Sequence, residues 1–258
     1  MNDLSIYFTP LDLDDLEFQD EQMGRFLTCN YGDFPEIKPN SIAIFTVPEY
    51  RGSVSEISIQ KKSAFRQELR KLSKSKNWKN NIYDLGTISP GNELKDTCFA
   101  ISNVVSELIK NRVVPILIGG SQDLIVSAYD AYEKLEQLVN ICSIDHRLDL
   151  GAPEVQVDSD SYLTSIMLKR PCYLFNHANI GLQIPHAQPK ELKLIESLYF
   201  DICRLGEFNA DFKRAEPHLR NADIINIDFN SIKASEVFSH GANPNGFQAQ
   251  QMCQVARY

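Results

Sequence analysis

No apolar run in the sequence reaches the roughly 20 residues that a membrane-spanning helix needs. The expectation is therefore a chain that does not enter a bilayer. The N-terminus, MNDLSIYFTPLDLDDLEF, lacks a basic segment followed by an apolar core, so it does not read as a secretory signal. The six cysteines (Cys29, Cys98, Cys142, Cys172, Cys203, Cys253) are scattered, and none forms a C-x-x-C pair. Reduced structural thiols in a cytoplasmic protein follow from that spacing. Positive charge is also scarce. Lys plus Arg number 26 against 34 Asp plus Glu, a net charge of −8. Such a chain has no general attraction for nucleic acid or anionic membrane. Its one basic run, RKLSKSKNWK (Arg70–Lys79), reads as the solvated end of a helix. Internal repeats and low-complexity segments are absent.

What is present is a regular alternation. Residues 1–40 are acidic and carry Pro10, Pro35 and Pro39, and read as a loop-rich extension. From residue 41 to 258 short apolar runs alternate with longer amphipathic ones, which reads as one domain. Strands are predicted at Ser41–Val47, Asn81–Gly86, Val113–Gly120, Val139–Asp145, His177–Gln183, Phe200–Gly206 and Ala222–Phe229. Helices are predicted at Lys61–Lys74, Leu94–Asn111, Asp123–Leu138, Ser161–Lys169, Pro189–Leu198, from about Asp211, and at Gly246–Tyr258. Strands alternating with helices imply crossover units and a parallel sheet covered on both faces. The near-continuous apolar run VPILI fits burial on both sides. The fold class is α/β, doubly wound, and ligands of such sheets bind at the carboxyl ends of the strands.

Three strand ends are rich in polar side chains: GGSQD (Gly119–Asp123), DHRLD (Asp145–Asp149) and DFN (Asp228–Asn230). An extended chain puts alternate residues on one face. Asp145, Arg147 and Asp149 would then share a face, with His146 opposite as a partly buried bystander. Asp228 would pair with Asn230. The acids read either as a metal or active-site cluster or as carboxylates capping loops and helix starts. Ser121 and Asp123 suit a helix cap, and Gln122 beside them suits a hydrogen-bonding role there. GGSQD lacks the G-x-G-x-x-G spacing and the P-loop lysine, so a phosphate cradle is not indicated. His177, His186, His218 and His240 show no Glu-x-x-His or His-x-x-x-His spacing and read as surface or packing residues. Cys142 and Cys203 lie inside strands, without a base nearby in sequence. SHGANPNGF (Ser239–Phe247) reads as a loop, either a plain connection or one lining a pocket through Asn243 and Asn245.

These segments, together with VPEYRGS after the first strand, IINIDFN and NPNGF, resemble the ureohydrolase family in this order and spacing. The resemblance is strongest to its formimidoylglutamase-like branch and spans roughly Ile42 to Tyr258. It implies a three-layer α/β/α sandwich, and hydrolysis of linear amidines by a water bridging two Mn²⁺ ions. The six ligand positions of that pattern fall in the three polar segments. Here Gln122 stands where the pattern has His, Arg147 where it has the central His of Asp-x-His-x-Asp, and Asn230 where it has the second Asp of Asp-x-Asp. Asp145, Asp149 and Asp228 retain ligand carboxylates. With Gln122 they would suit one hard divalent cation, Mn²⁺ or Mg²⁺, in place of two Mn²⁺. Arg147 is expected to stand in for the second metal by bridging Asp145 and Asp228. No catalytic residue is assigned. The resemblance thus implies a degenerate centre, inactive or altered. The alternatives are an active one-metal hydrolase and a non-enzymatic structural or regulatory subunit. A small amidine or amino-acid-like ligand and homo-oligomers are the expected partners. The family's acidic residue for the guanidino group lies in a later segment, which is expected to be lacking before Tyr258.

Overall fold

The computed structural model describes residues 3–12, 18–54, 64–152, 156–237 and 243–257. Residues 61–63 of the predicted Lys61–Lys74 helix and 239–242 of the predicted Ser239–Phe247 loop lie outside them. The chain groups into two compact units, Met1–Arg51 with Ser58–Ser121, and Gly52–Ile57 with Gln122–Tyr258.

The first unit holds β1 (Leu27–Cys29), β2 (Ser41–Thr46), α1 (Ala64–Lys71), β3 (Ile82–Thr87), α2 (Leu94–Lys110) and β4 (Val113–Ile118). Its strands form a parallel sheet in the order β1-β3-β2-β4. In β2, Ala43 and Phe45 are fully buried, as the apolar run predicts. Helix α2 starts at a capping box made by Glu93 and Asp96 and buries Ile101, Val104, Val105 and Leu108. Strand β1 falls within residues 1–40, where the sequence reads as loop. Three residues are too few to show a period, and the strand exists by pairing Leu27 to Ile82. Just beyond β2, Glu49 is buried and its carboxylate is fully engaged. It accepts from the Arg51 backbone N and Nε, both at 3.0 Å, and from Thr97 Oγ1 at 2.9 Å. The Arg51 hydrogen bonds, chiefly, hold its carboxyl down at about 2. In the same unit Ser121 is buried, and its backbone N donates to the Glu49 carbonyl at 2.9 Å.

The second unit holds α3 (Ile125–Lys134), β5 (Val139–Ile144), α4 (Tyr162–Leu168), β6 (Leu174–Leu182), α5 (Pro189–Ser197), β7 (Asp201–Arg204), α6 (Leu205–Ala210), α7 (Glu216–Arg220), β8 (Ile224–Ile227) and α8 (Ala249–Val255). Its strands are again parallel, in the order β7-β6-β5-β8. Two apolar clusters cover β5. Val139 and Ile141 pack with Tyr129, Tyr162, Leu163 and Ile195. Cys142 and Ile144 pack with Ile180, Phe208, Leu219 and Phe247. Each such Leu, Ile or Phe contributes about 1.5–3 kcal/mol on burial. The predicted Phe200–Gly206 strand stops at Arg204, because Leu205 and Phe208 turn inward as α6. Each sheet ends on a strand with one neighbour. Hence Val114 and Ile116 on β4, and Ile225 and Ile227 on β8, are exposed despite their apolar sequence. Among the described residues no disulfide forms, and no helix is long and apolar enough to cross a membrane.

Candidate metal centre

Strand β5 stops at Ile144, and the chain then bends through residues 145–147. The bend has a local cause. Asp145 Oδ1 accepts the backbone N–H of Arg147 at 3.0 Å, an Asp turn that competes with extended structure. Alternation of faces therefore ends at Asp145, and the sequence expectation for His146 is corrected. Its ring is buried, with Nδ1 3.1 Å from Asp145 Oδ1. Nδ1 is buried and has no hydrogen-bond partner.

Asp228 arrives from the end of β8. Its backbone N donates to the Ile144 carbonyl at 3.1 Å, and its Oδ1 accepts from the Asn230 backbone N at 2.9 Å. One donor atom each from Asp145, His146 and Asp228 lie within 4.8 Å of one another. Asp149 is buried too, and takes a left-handed φ of 49°, which Asp tolerates better than most residues. Three buried atoms here have no hydrogen-bond partner: Asp145 Oδ2, His146 Nδ1 and Asp149 Oδ2. Leaving such groups bare costs about 1–3 kcal/mol each, more when charged.

The electrostatics follow from this crowding. Burial, then the Asp145 charge, raises the Asp149 carboxyl well above the carboxylate range. Burial and Asp145 likewise lift Asp228 to about 7, against the Asn230 N–H, His146 and Arg147. The guanidinium of Arg147 does not bridge Asp145 and Asp228. It pairs instead with Asp160 at a half-exposed position, and only its backbone N reaches Asp145. The reason lies thirteen residues on: Asp160 is held by its own N–H to Asp158 Oδ1 at 3.0 Å and by Ser159 Oγ at 3.1 Å. The expected bridge is thus replaced by an outward ion pair.

Of the remaining sequence candidates, Gln122 starts a short 3₁₀ turn, with Nε2 buried and without a hydrogen-bond partner. Asp123 lies against Gly52, where a Cβ would come within 2.1 Å of its Oδ2. Asn243 Nδ2 sits 2.7 Å from His186 Nε2, and Asn245 Nδ2 donates to Gln183 Oε1 at 3.1 Å. The Gln183 backbone N in turn donates to the His146 carbonyl at 3.0 Å, and the His186 ring meets the His146 ring edge-on at 5.0 Å. Asn243 and Asn245 are therefore tied to the cluster through His186, which the sequence reads as a surface or packing residue, and Gln183, which it does not single out. Beneath the cluster Ser143 Oγ links His177 Nε2 and Tyr162 Oη, each at 3.2 Å, and Asn226 Nδ2 donates to Tyr162 at 3.2 Å. Burial drops His177 to about 4, so it is a neutral packing residue, as its spacing suggests.

No protein-family model matches the chain, and no curated protein matches it. Solved structures do. Formimidoylglutamase from Bacillus subtilis subsp. subtilis str. 168 superposes with a TM-score of 0.78 at 14% identity, covering 96% of this chain and 83% of that one. Formiminoglutamase from Trypanosoma cruzi with Mn²⁺ gives 0.73 at 18%, covering 83% and 79%. Proclavaminate amidino hydrolase from Streptomyces clavuligerus gives 0.67 at 16%, covering 93% and 84%. The chain thus has the three-layer α/β/α fold with parallel sheets that these hydrolases share, and at its strand ends an incomplete cluster of metal-binding side chains.

Proposed function

We propose that this chain is a ureohydrolase-superfamily protein, formimidoylglutamase-like by descent, whose centre holds one divalent cation and does not run the two-metal reaction. The observation that carries this is the convergence of donor atoms of Asp145, His146 and Asp228 beside the buried Asp149, with Asp145 Oδ2 and Asp149 Oδ2 left without a hydrogen-bond partner. Buried charges need a partner or a metal, and these residues fit one cation. When bound, that cation would neutralise the cluster and polarise a water or an amidine nitrogen. Asp145 would occupy the central place in the ligand set, since it neighbours His146, Asp149 and Asp228 alike. Asp228 is oriented by the Asn230 N–H, and Asp145 by the Arg147 N–H.

A second cation has poor support. Arg147 and Asn230 occupy two of its ligand positions. One carries a fixed positive charge and the other a neutral amide. Activation of water between two metals therefore lacks its second half. The amides of Asn243 and Asn245 with His186 give this end of the unit a neutral, hydrogen-bonding character suited to a small amidine or amino-acid-like ligand.

Metal analysis of the purified chain, with an assay on formimidoylglutamate and arginine, tests the reading. The expected result is a single divalent ion per chain, removed by chelator, and no turnover. Two Mn²⁺ per chain with turnover of either compound would overturn it. The combined change Arg147→His, Gln122→His and Asn230→Asp should raise the ion stoichiometry toward two, and an unchanged stoichiometry would count against these ligand positions.

A further inference from the structure

His146 is the residue whose placement the sequence does not foretell, and its surroundings say more than that it is buried. Its Nδ1 lies 3.1 Å from Asp145 Oδ1 without a hydrogen bond, and it has no other hydrogen-bond partner. A separation of this kind is what two ligands of one ion show. Each sits about 2.0–2.2 Å from the metal, so neighbours at right angles lie about 3 Å apart with both lone pairs turned to a common point. The Asp228 carboxylate completes the triangle within 4.8 Å. The His146 backbone is held by the Gln183 N–H on its carbonyl, and its ring meets the His186 ring edge-on.

Resting on the one-cation reading above, we propose that His146 Nδ1 is a ligand of that cation. The ligand set of that cation thereby gains an imidazole nitrogen beside its carboxylates. An imidazole among carboxylates changes which ion the site prefers. All-oxygen sets suit Mg²⁺ and Ca²⁺, whereas imidazole suits Zn²⁺, Ni²⁺, Fe²⁺ and, by the usual affinity order, Co²⁺. The centre is therefore selective for a nitrogen-accepting transition metal over Mg²⁺. An imidazole that ligates through Nδ1 keeps its proton on Nε2.

Cobalt is the probe, because it reports on its ligands by absorption and by paramagnetic shifts. The full-length chain is stripped with chelator and titrated with Co²⁺ and, separately, with Mg²⁺ by calorimetry. One Co²⁺ should bind at least about a hundredfold more tightly than Mg²⁺. His146→Ala should weaken Co²⁺ by about a hundredfold or more, since even the outer partners of metal ligands are worth about 10–100-fold. His218→Ala, whose ring sits beside Asp201, should leave the affinity unchanged. Circular dichroism of the stripped variants checks that both fold. A readout on the unaltered protein makes the test independent of folding. The Co²⁺-loaded chain should show one strongly shifted, exchangeable imidazole N–H proton.

Tight Co²⁺ binding that His146→Ala does not weaken, or the absence of the shifted proton, would overturn the His146 assignment and leave the cation site standing. Equal affinity for Mg²⁺ and Co²⁺ would overturn the selectivity. Failure to bind any divalent ion would overturn the one-cation reading itself.

Discussion

Replacing Asp228 by Asn should stabilise the metal-stripped protein while ruining its ion binding. The donor atoms of Asp145 and Asp228 lie no more than 4.8 Å apart. At that distance two like charges in an effective dielectric of about 20 repel by about 3.5 kcal/mol. Asparagine removes the charge and keeps an oxygen to accept the Asn230 N–H. It gives up the attraction of Asp228 to Arg147, which is half-exposed and turned to Asp160, and is therefore worth little. The net gain should be about 2–3 kcal/mol. The sign depends on pH in a definite way. The folded-state carboxyl of Asp228 is raised to about 7, so its protonated form is the stabilised one. Stability is retained below the unfolded pKa near 4 and is lost as pH rises through about 7. The gain from Asp228→Asn is therefore largest at about pH 8 and shrinks toward about pH 5. Urea unfolding in chelator at both values measures it. In saturating Co²⁺ the order should reverse, because an ion stabilises only the form that binds it. A variant less stable than the parent in chelator at about pH 8 would refute the claim that these carboxylates repel one another.

Three other outcomes follow. Glu49→Gln should destabilise the first unit. The Glu49 carboxyl is depressed to about 2 from 4.5, worth about 3 kcal/mol before screening and about 2 once the exposure of Arg51 is allowed for. That contribution is present above about pH 4.5 and fades as pH falls toward 2, so the gap between parent and variant in urea melts should shrink by about half or more at about pH 3, and a pH-independent gap would refute the assignment. Gly181→Ala should cost about 2–4 kcal/mol: Gly181 has φ +105°, and a Cβ would lie 2.4 Å from Phe247 Cε2 and 3.2 Å from the Asp145 carbonyl. Thermal melting reads this, and an unchanged midpoint would show that β6 can yield there. Asp160→Ala should free the Arg147 guanidinium to approach Asp145 and Asp228, raising stability in chelator and weakening Co²⁺; no effect on either would mean that the outward pair does not restrain Arg147.

The seven predicted strands all exist, because strands buried on two faces announce themselves by apolar runs such as Val139–Ile144. The polar segments at their ends were equally legible, and so was the gap in the ligand set. What the sequence could not show was direction. Asp145, Arg147 and Asp149 share a face only while the chain stays extended, and the Asp145 side chain itself ends that extension by taking the Arg147 N–H. The signal was present, since an Asp two residues before a donor is a turn former, yet it competes with the strand and the winner is decided by packing. Arg147 finds Asp160 across a loop whose shape no local pattern encodes. Likewise β1 is three residues long and is held by its partner alone.

The open border of β8 reaches further than it first suggests. Ile225 and Ile227 lie bare along it, and Phe229 just past its end is 60% exposed. Among the described residues of its unit this border has no strand partner, and an unpaired, apolar border is a template on which a foreign strand can grow. Asp228 stands between Ile227 and Phe229, so the segment most open to such intrusion is also the one that delivers a carboxylate to the cluster. The apolar border and the carboxylate cluster thereby share one short stretch of backbone. A strand docking on that border would therefore lie against the backbone that aims Asp228.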